Sequence, residues 1–264
     1  MVYHINALNN VGKKNNISDD INVEEYSNIR SKLSYMSTAI EHTTKCKIVQ
    51  DNIRECLQLF DTLSSKKDHG KIFADVNRFF ENTVNSFYSW TQFTEVHYNS
   101  SFYSTMRCEL YDNNEDYRFT LALRTCSTHK VLPIKSLSFQ LDGEQKAVIE
   151  IEPQFLIDNG DIPKGKAIYR ELVDKEAKGE KINLKTLLFA LSMGMPKYER
   201  MILREIHKEI EPWIRTFTEK WTDDMIYVAI YDENEVAMTG NLIGTFNEYH
   251  ASLGTYCRKS NGKT

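Results

Sequence analysis

Apolar residues recur every three or four positions along most of this chain, over stretches much longer than a β-strand. One stripe runs Leu184, Leu187, Leu188, Leu191, Met195, Tyr198, Ile202, Ile206, Ile210, Trp213, Phe217. A second runs Ile29, Leu33, Met36, Ile40, breaks at the polar patch TTKCK, and resumes at Val49, Ile53, Leu57, Phe60 and Leu63. A third runs Ile72, Val76, Phe79, Phe80, Val84, Phe87. At about 3.6 residues per turn this spacing puts the apolar side chains on one helical face. Such a face needs another helix to cover it. The stripes commit the chain to helical packing.

Local signals place the ends. Asn22 followed by Glu25 resembles a capping box and opens one long helix or two stacked ones. A second helix is expected from about 71 to 93, and the short connection makes the pair antiparallel. A short helix around 99–110 precedes Asn114, which is placed to cap a helix running to about Thr128. Pro133 then forces an extended exit. Leu137, Phe139 and Leu141 alternate, Asp142-Gly143 supplies a tight turn, and Val148, Ile149 and Ile151 return, so a β-hairpin is expected. Helical period resumes from 154. Gly179 stops one helix, Asn183 caps the next, Gly194-Met195-Pro196 is expected to kink or break it, and Pro212 to start a new turn. MIYVAIYD, the turn ENE and a weaker strand follow. The fold class is mainly α: an antiparallel helical bundle with an inserted β-hairpin and a small C-terminal β element. Its expected organisation is a flexible arm over 1–22, a bundle over 23–134, and a remainder over 135–264 packed with the bundle as one composite unit.

Bulk properties exclude several classes. Hydrophobic residues make up 41% and charged residues 27%, the proportions of a globular protein with a core. A formal charge of −4 gives no global attraction for nucleic acid, although a local basic patch remains compatible with it. The five cysteines form no CxxC, which argues against a zinc module or disulfide framework and for a reducing compartment. The first residues lack a secretory apolar region, and no apolar run nears the roughly 20 residues of a membrane span. A cytoplasmic protein without membrane contact, cofactor or metal is expected.

The stretch DYRFTLALRTCSTHKVLPI, Asp116 to Ile134, holds the strongest candidate chemistry. Arg124 is followed five positions later by His129, an Arg-x4-His pair at a helix end. The pattern Tyr-Arg-Phe, Leu-Arg, His, Leu-Pro within this stretch resembles the HEPN superfamily of four- or five-helix bundles. The likeness spans about 24–134 in outline and about 18 residues in detail. Many members are metal-independent ribonucleases of toxin–antitoxin, abortive-infection and RNA-guided defence systems. The resemblance implies an RNA substrate, a homodimer with a composite site at its interface, and catalysis by Arg124 and His129. Thr125 stands where the family usually has Asn, His or Asp, and is carried over as an auxiliary polar group. In metal-free cleavage the RNA 2′-hydroxyl is the nucleophile. Histidine can move the proton, and arginine can stabilise charge on the phosphorus centre. Five residues advance about 500° on an ideal helix, which leaves the two side chains about 140° apart.

Other residues have plainer readings beside their functional ones. Arg107 and Arg118 are candidate RNA-phosphate contacts, or partners of Glu109, Asp112 or Glu115. Tyr117 and Cys126 read as packing residues. His207 and Glu211, at i and i+4, could begin a metal site but suit a solvated charged face better. Trp90 and Phe93 could form a dimer surface. DNGDIPKGKA matches no phosphate loop and reads as a connection. A second functional reading is a catalytically inactive HEPN-like module. It would bind RNA, an antitoxin or another protein partner through the hairpin and C-terminal strands.

Overall fold

Three asparagines start the principal helices. The Asn22 side chain accepts from the Glu25 N–H at 2.8 Å and opens α1, Val23–Thr62. Asn114 accepts from the Tyr117 N–H at 3.0 Å and opens α4, Glu115–His129. Asn183 accepts from the Thr186 N–H at 3.1 Å and opens α7, Leu184–Lys220. Each satisfies one of the amides that a helix start leaves without an internal partner. Between them lie α2, His69–His97, α3, Ser101–Asn113, α5, Pro153–Asn159, and α6, Ala167–Ala177. Gly179, at φ 66°, follows α6 in the left-handed conformation that favours glycine after a helix.

The strands are β1, Val2–Leu8, β2, Lys14–Asn22, β3, Ser138–Asp142, β4, Glu144–Val148, β5, Glu150–Ile151, β6, Ile182–Asn183, β7, Tyr227–Tyr231, and β8, Val236–Gly240. The computed structural model describes residues 2–8, 14–63, 69–98, 101–129, 138–142, 144–220, 227–231, 236–240, 249 and 251. Strands β3 and β4 form the expected antiparallel hairpin. Residue Gly143 at its turn lies outside the described residues, as do the exit through Pro133 and the turn ENE. The fold is mainly α, a helical bundle with an inserted hairpin and a C-terminal β element.

The chain divides into two compact units, 44–197 and 1–43 with 198–264. The cuts fall inside α1 and inside α7. In the first unit α1 and α2 run antiparallel. Asn52 Nδ2 donates to Ser86 Oγ at 2.9 Å, and Lys45 lies over the ring of Phe93, so rising numbers on one helix meet falling numbers on the other. Helix α4 packs against α2, α3, α5 and α6. Val49, Ile53, Val76, Phe80, Val84, Phe87, Leu123 and Leu156 are fully buried there. Each large apolar side chain removed from water contributes about 1.5–3 kcal/mol. Trp90 is also buried at 2% exposure, so it belongs to this core and not to a dimer surface.

In the other unit, polar contacts join α1 and α7. Lys32 reaches Glu209 at 3.4 Å, and His42 Nδ1 lies 3.1 Å from Glu199 Oε2 with both side chains wholly buried. Met36, Ala39, Ile202, Ile206 and Ile210 are buried in the same unit. Its sheet is antiparallel throughout, in the order β2-β1-β7-β8.

Two further expectations are corrected. Residues 2–8 and 14–22, expected within a loose arm, are strands: β1 pairs with β2 and with β7, Ile5 standing opposite Ile230. Their polar composition hid a strand whose partner lies at the other end of the chain, and strand formation depends on such context. Nor does Gly194-Met195-Pro196 break the last helix, and Pro212 does not start a separate one, since α7 is continuous from Leu184 to Lys220. A proline inside a helix costs about 3 kcal/mol. Burial of Leu191, Met195, Ile202, Ile206 and Ile210 along one face offsets it.

Candidate functional site

Helix α4 is held at its start and along its buried face before it reaches the Arg-x4-His pair. Phe119, Leu123 and Cys126 are buried, and Tyr117 sets its ring edge-on to Phe87 at 5.3 Å between centroids. Arg118 is 5% exposed. Its Nε donates to Glu171 Oε2 at 3.1 Å, its Nη2 donates to the other carboxylate oxygen, and its Nη1 donates to the carbonyls of Tyr111 and Asp112. The bidentate pair ties α4 to α6, and the carbonyl contacts tie it to the end of α3. This guanidinium is committed to the fold. Arg107 is more open and pairs with Glu95. The hydrogen bond from this pairing, opposed by some burial, raises the Arg107 pKa above its ordinary value.

The motif residues follow on the last turns of α4. The Arg124 guanidinium sits over the ring of Tyr88 on α2, with its carbon 3.6 Å from the ring centroid. A cation over an aromatic face contributes about 0.5–2 kcal/mol according to its exposure. Thr125 Oγ1 turns back along the helix and donates to the Leu121 carbonyl at 3.2 Å. Ser127 Oγ donates to Glu81 Oε1 at 3.0 Å. Glu81 and Tyr88 are two turns apart on α2 and meet Ser127 and Arg124 in reverse order, so α2 and α4 are antiparallel. His129 is the last residue of α4, and its side chain lies outside the described residues.

Beside Tyr88 opens a cavity of about 530 Å³ between α2, α3, α4 and the segment entering α6. Tyr88, Tyr111, Tyr117 and Leu121 line it, with Thr91, Gln92 and the Glu95–Arg107 pair. Gly165, Lys166 and Ala167 close another side, so the end of the segment read as a plain connection becomes a wall. Burial is the main influence on the Tyr111 phenol and raises its pKa, against the opposing charge of Arg118. Arg124 lies one turn beyond Leu121 on α4.

Other candidates have local partners. His207 Nε2 lies 3.1 Å from Glu211, whose other oxygen accepts from Arg215, so that charged face pairs internally. Among the described residues no group of three or more His, Cys, Asp or Glu is arranged to hold a metal. No described helix is long and apolar enough to cross a membrane. Compared with family models, with curated proteins and with solved structures, the chain finds no match.

Among the residues that sequence reasoning missed, Tyr88 and Glu81 meet the motif directly. Their seven-residue spacing is a signal only once the register of α2 against α4 is known.

The cysteines give a check on this geometry. Cys46, Cys56 and Cys126 are buried, whereas Cys108 is exposed at the cavity. Burial pushes the Cys56 thiol up to about 12. Because the thiolate is the reactive species, Cys108 is expected to be alkylated well before the other three. Peptide mass spectrometry after short iodoacetamide exposure measures this. Cys56 labelled as early as Cys108 would contradict the packing of α1.

Proposed function

We propose that this protein is a HEPN-like, metal-independent endoribonuclease acting as a homodimer in a defence or toxin–antitoxin setting. Support rests on the Arg-x4-His pair within its wider motif, carried at the end of a helix that packs antiparallel to α2, the second helix of the α1–α2 hairpin. The single observation that carries the reading is the Arg124 guanidinium, held over the ring of Tyr88 at 3.6 Å, a residue that itself lines an open cavity. A stacked guanidinium is pre-organised, so it loses less freedom on meeting a phosphate than a solvated one.

In the proposed reaction the RNA 2′-oxygen attacks the adjacent phosphorus as its proton is removed. The bond to the 5′-oxygen breaks, and that oxygen takes up a proton. Arg124 neutralises the charge that grows on the non-bridging oxygens. His129 carries one of the two proton transfers, and its counterpart across the dimer is suited to the other. The products are a 2′,3′-cyclic phosphate and a 5′-hydroxyl. Incubation of RNA with the protein in EDTA, followed by end analysis, tests this chemistry. A 3′-hydroxyl with a 5′-phosphate, or cutting that EDTA abolishes, would overturn it.

One observation favours the second reading, an inactive module that binds RNA or a protein partner. The Thr125 hydroxyl is engaged with the Leu121 carbonyl of its own helix, where the family pattern has a longer or ionisable polar group. Specific RNA binding without cleavage would select that reading.

A further inference from the structure

We propose that the cavity bounded by α2, α3, α4 and the start of α6 is a nucleobase pocket. The inference deepens the RNA reading and rests on it for the source of the base. At about 530 Å³ the cavity lies within the range of small-ligand sites and has room for a nucleoside. Tyrosines from three different helices, Tyr88, Tyr111 and Tyr117, line it together with Leu121. Planar rings can stack on such walls. Thr91, whose hydroxyl donates to the Tyr88 carbonyl at 2.9 Å, and Gln92, whose Nε2 donates to Glu95 at 3.2 Å, line the same space. The Thr91 oxygen can still accept, and the Gln92 amide keeps a second N–H and its carbonyl oxygen, which suits the mixed hydrogen-bonding edge of a base.

Charge argues for a neutral ring rather than an anion. The lining carries Glu95 and Asp112 against Arg107 and Lys166, which cancel, and Arg107 is already paired with Glu95. The position of the cavity fits the same ligand. Tyr88 lines the cavity and its ring also carries Arg124, so one aromatic ring links a base held here to a cation suited to the neighbouring phosphate. A base within RNA and a free nucleoside share this chemistry.

The test measures binding of a fluorescent 2′-O-methyl oligonucleotide, which lacks the nucleophile, against the same oligonucleotide with abasic positions. Free nucleosides are titrated in parallel by calorimetry. The intact strand should bind roughly tenfold more tightly than the abasic one. Tyr111→Leu should remove most of that difference, and Tyr111→Phe should keep it. Equal affinity for intact and abasic strands, with no nucleoside binding, overturns the proposal. If Tyr111→Leu fails to fold, the abasic comparison on the wild type decides alone. Nucleoside binding without preference for the intact strand supports the pocket and removes RNA as its source. Base-dependent binding without cleavage in EDTA leaves the pocket standing and removes the nuclease. Equal cleavage of intact strands and of strands abasic beside the cut does the reverse.

Discussion

Arg118→Met is expected to destabilise the unit spanning 44–197 by about 3 kcal/mol. The substitution keeps much of the aliphatic stem and deletes the guanidinium. It would leave the Glu171 carboxylate without its bidentate partner and the carbonyls of Tyr111 and Asp112 without their donor. Breaking a buried ion pair costs about 3–5 kcal/mol, because the remaining partner stays desolvated. The lower end applies here, since the Glu171 side chain is 30% exposed and regains some hydration. A two-unit chain need not unfold in one step, so a local probe is needed. Of the three tryptophans, Trp90 is buried in this unit. With Trp213 and Trp221 replaced by Phe, urea unfolding followed by Trp90 emission reads the unit directly. Arg78→Ala, at a surface i,i+3 pair with Asp75, should change stability by less than about 0.5 kcal/mol. Equal shifts for the two variants would show that Arg118 is not a clasp.

The second large effect belongs to Arg124. If it stabilises charge in the transition state, Arg124→Ala should lower the cleavage rate about 10²–10³-fold with little change in substrate affinity. Arg124→Lys should recover only a small part, since an ammonium neither stacks on Tyr88 as a plane nor offers two parallel donors. Tyr88→Leu should give an intermediate loss, because it keeps the cation and removes the surface that orients it. Single-turnover kinetics separates the two contributions. A loss confined to binding would make Arg124 an RNA contact rather than a catalytic group.

What could be read from residues alone followed how local the physics is. Caps at Asn22, Asn114 and Asn183 depend on one side chain and an amide three residues on, and all three form. The β3–β4 hairpin needs only alternation and a turn. The C-terminal strands β7 and β8 were legible, but β1 and β2 were not, because β1 finds its partner β7 at the far end of the chain. Continuity of α7 through Pro196 and Pro212 was missed because long-range burial outweighs a local penalty. At the candidate site, the Arg-x4-His spacing was visible, but its surroundings were not. Arg118 finds Glu171 across 53 residues, and Tyr88 reaches Arg124 only through the antiparallel register of α2 and α4. A cavity is a property of that register too, so Tyr111 and Gln92 could not be grouped before the helices were packed.

The central claim is that this chain cuts RNA without metal through His129. Its most direct test compares wild type and His129→Ala at matched concentration in EDTA, with circular dichroism confirming that both are folded. A wild-type rate at least 100-fold above that of the variant is predicted, from the size of a general acid–base contribution. Equal rates, or no cleavage by the wild type, would contradict it.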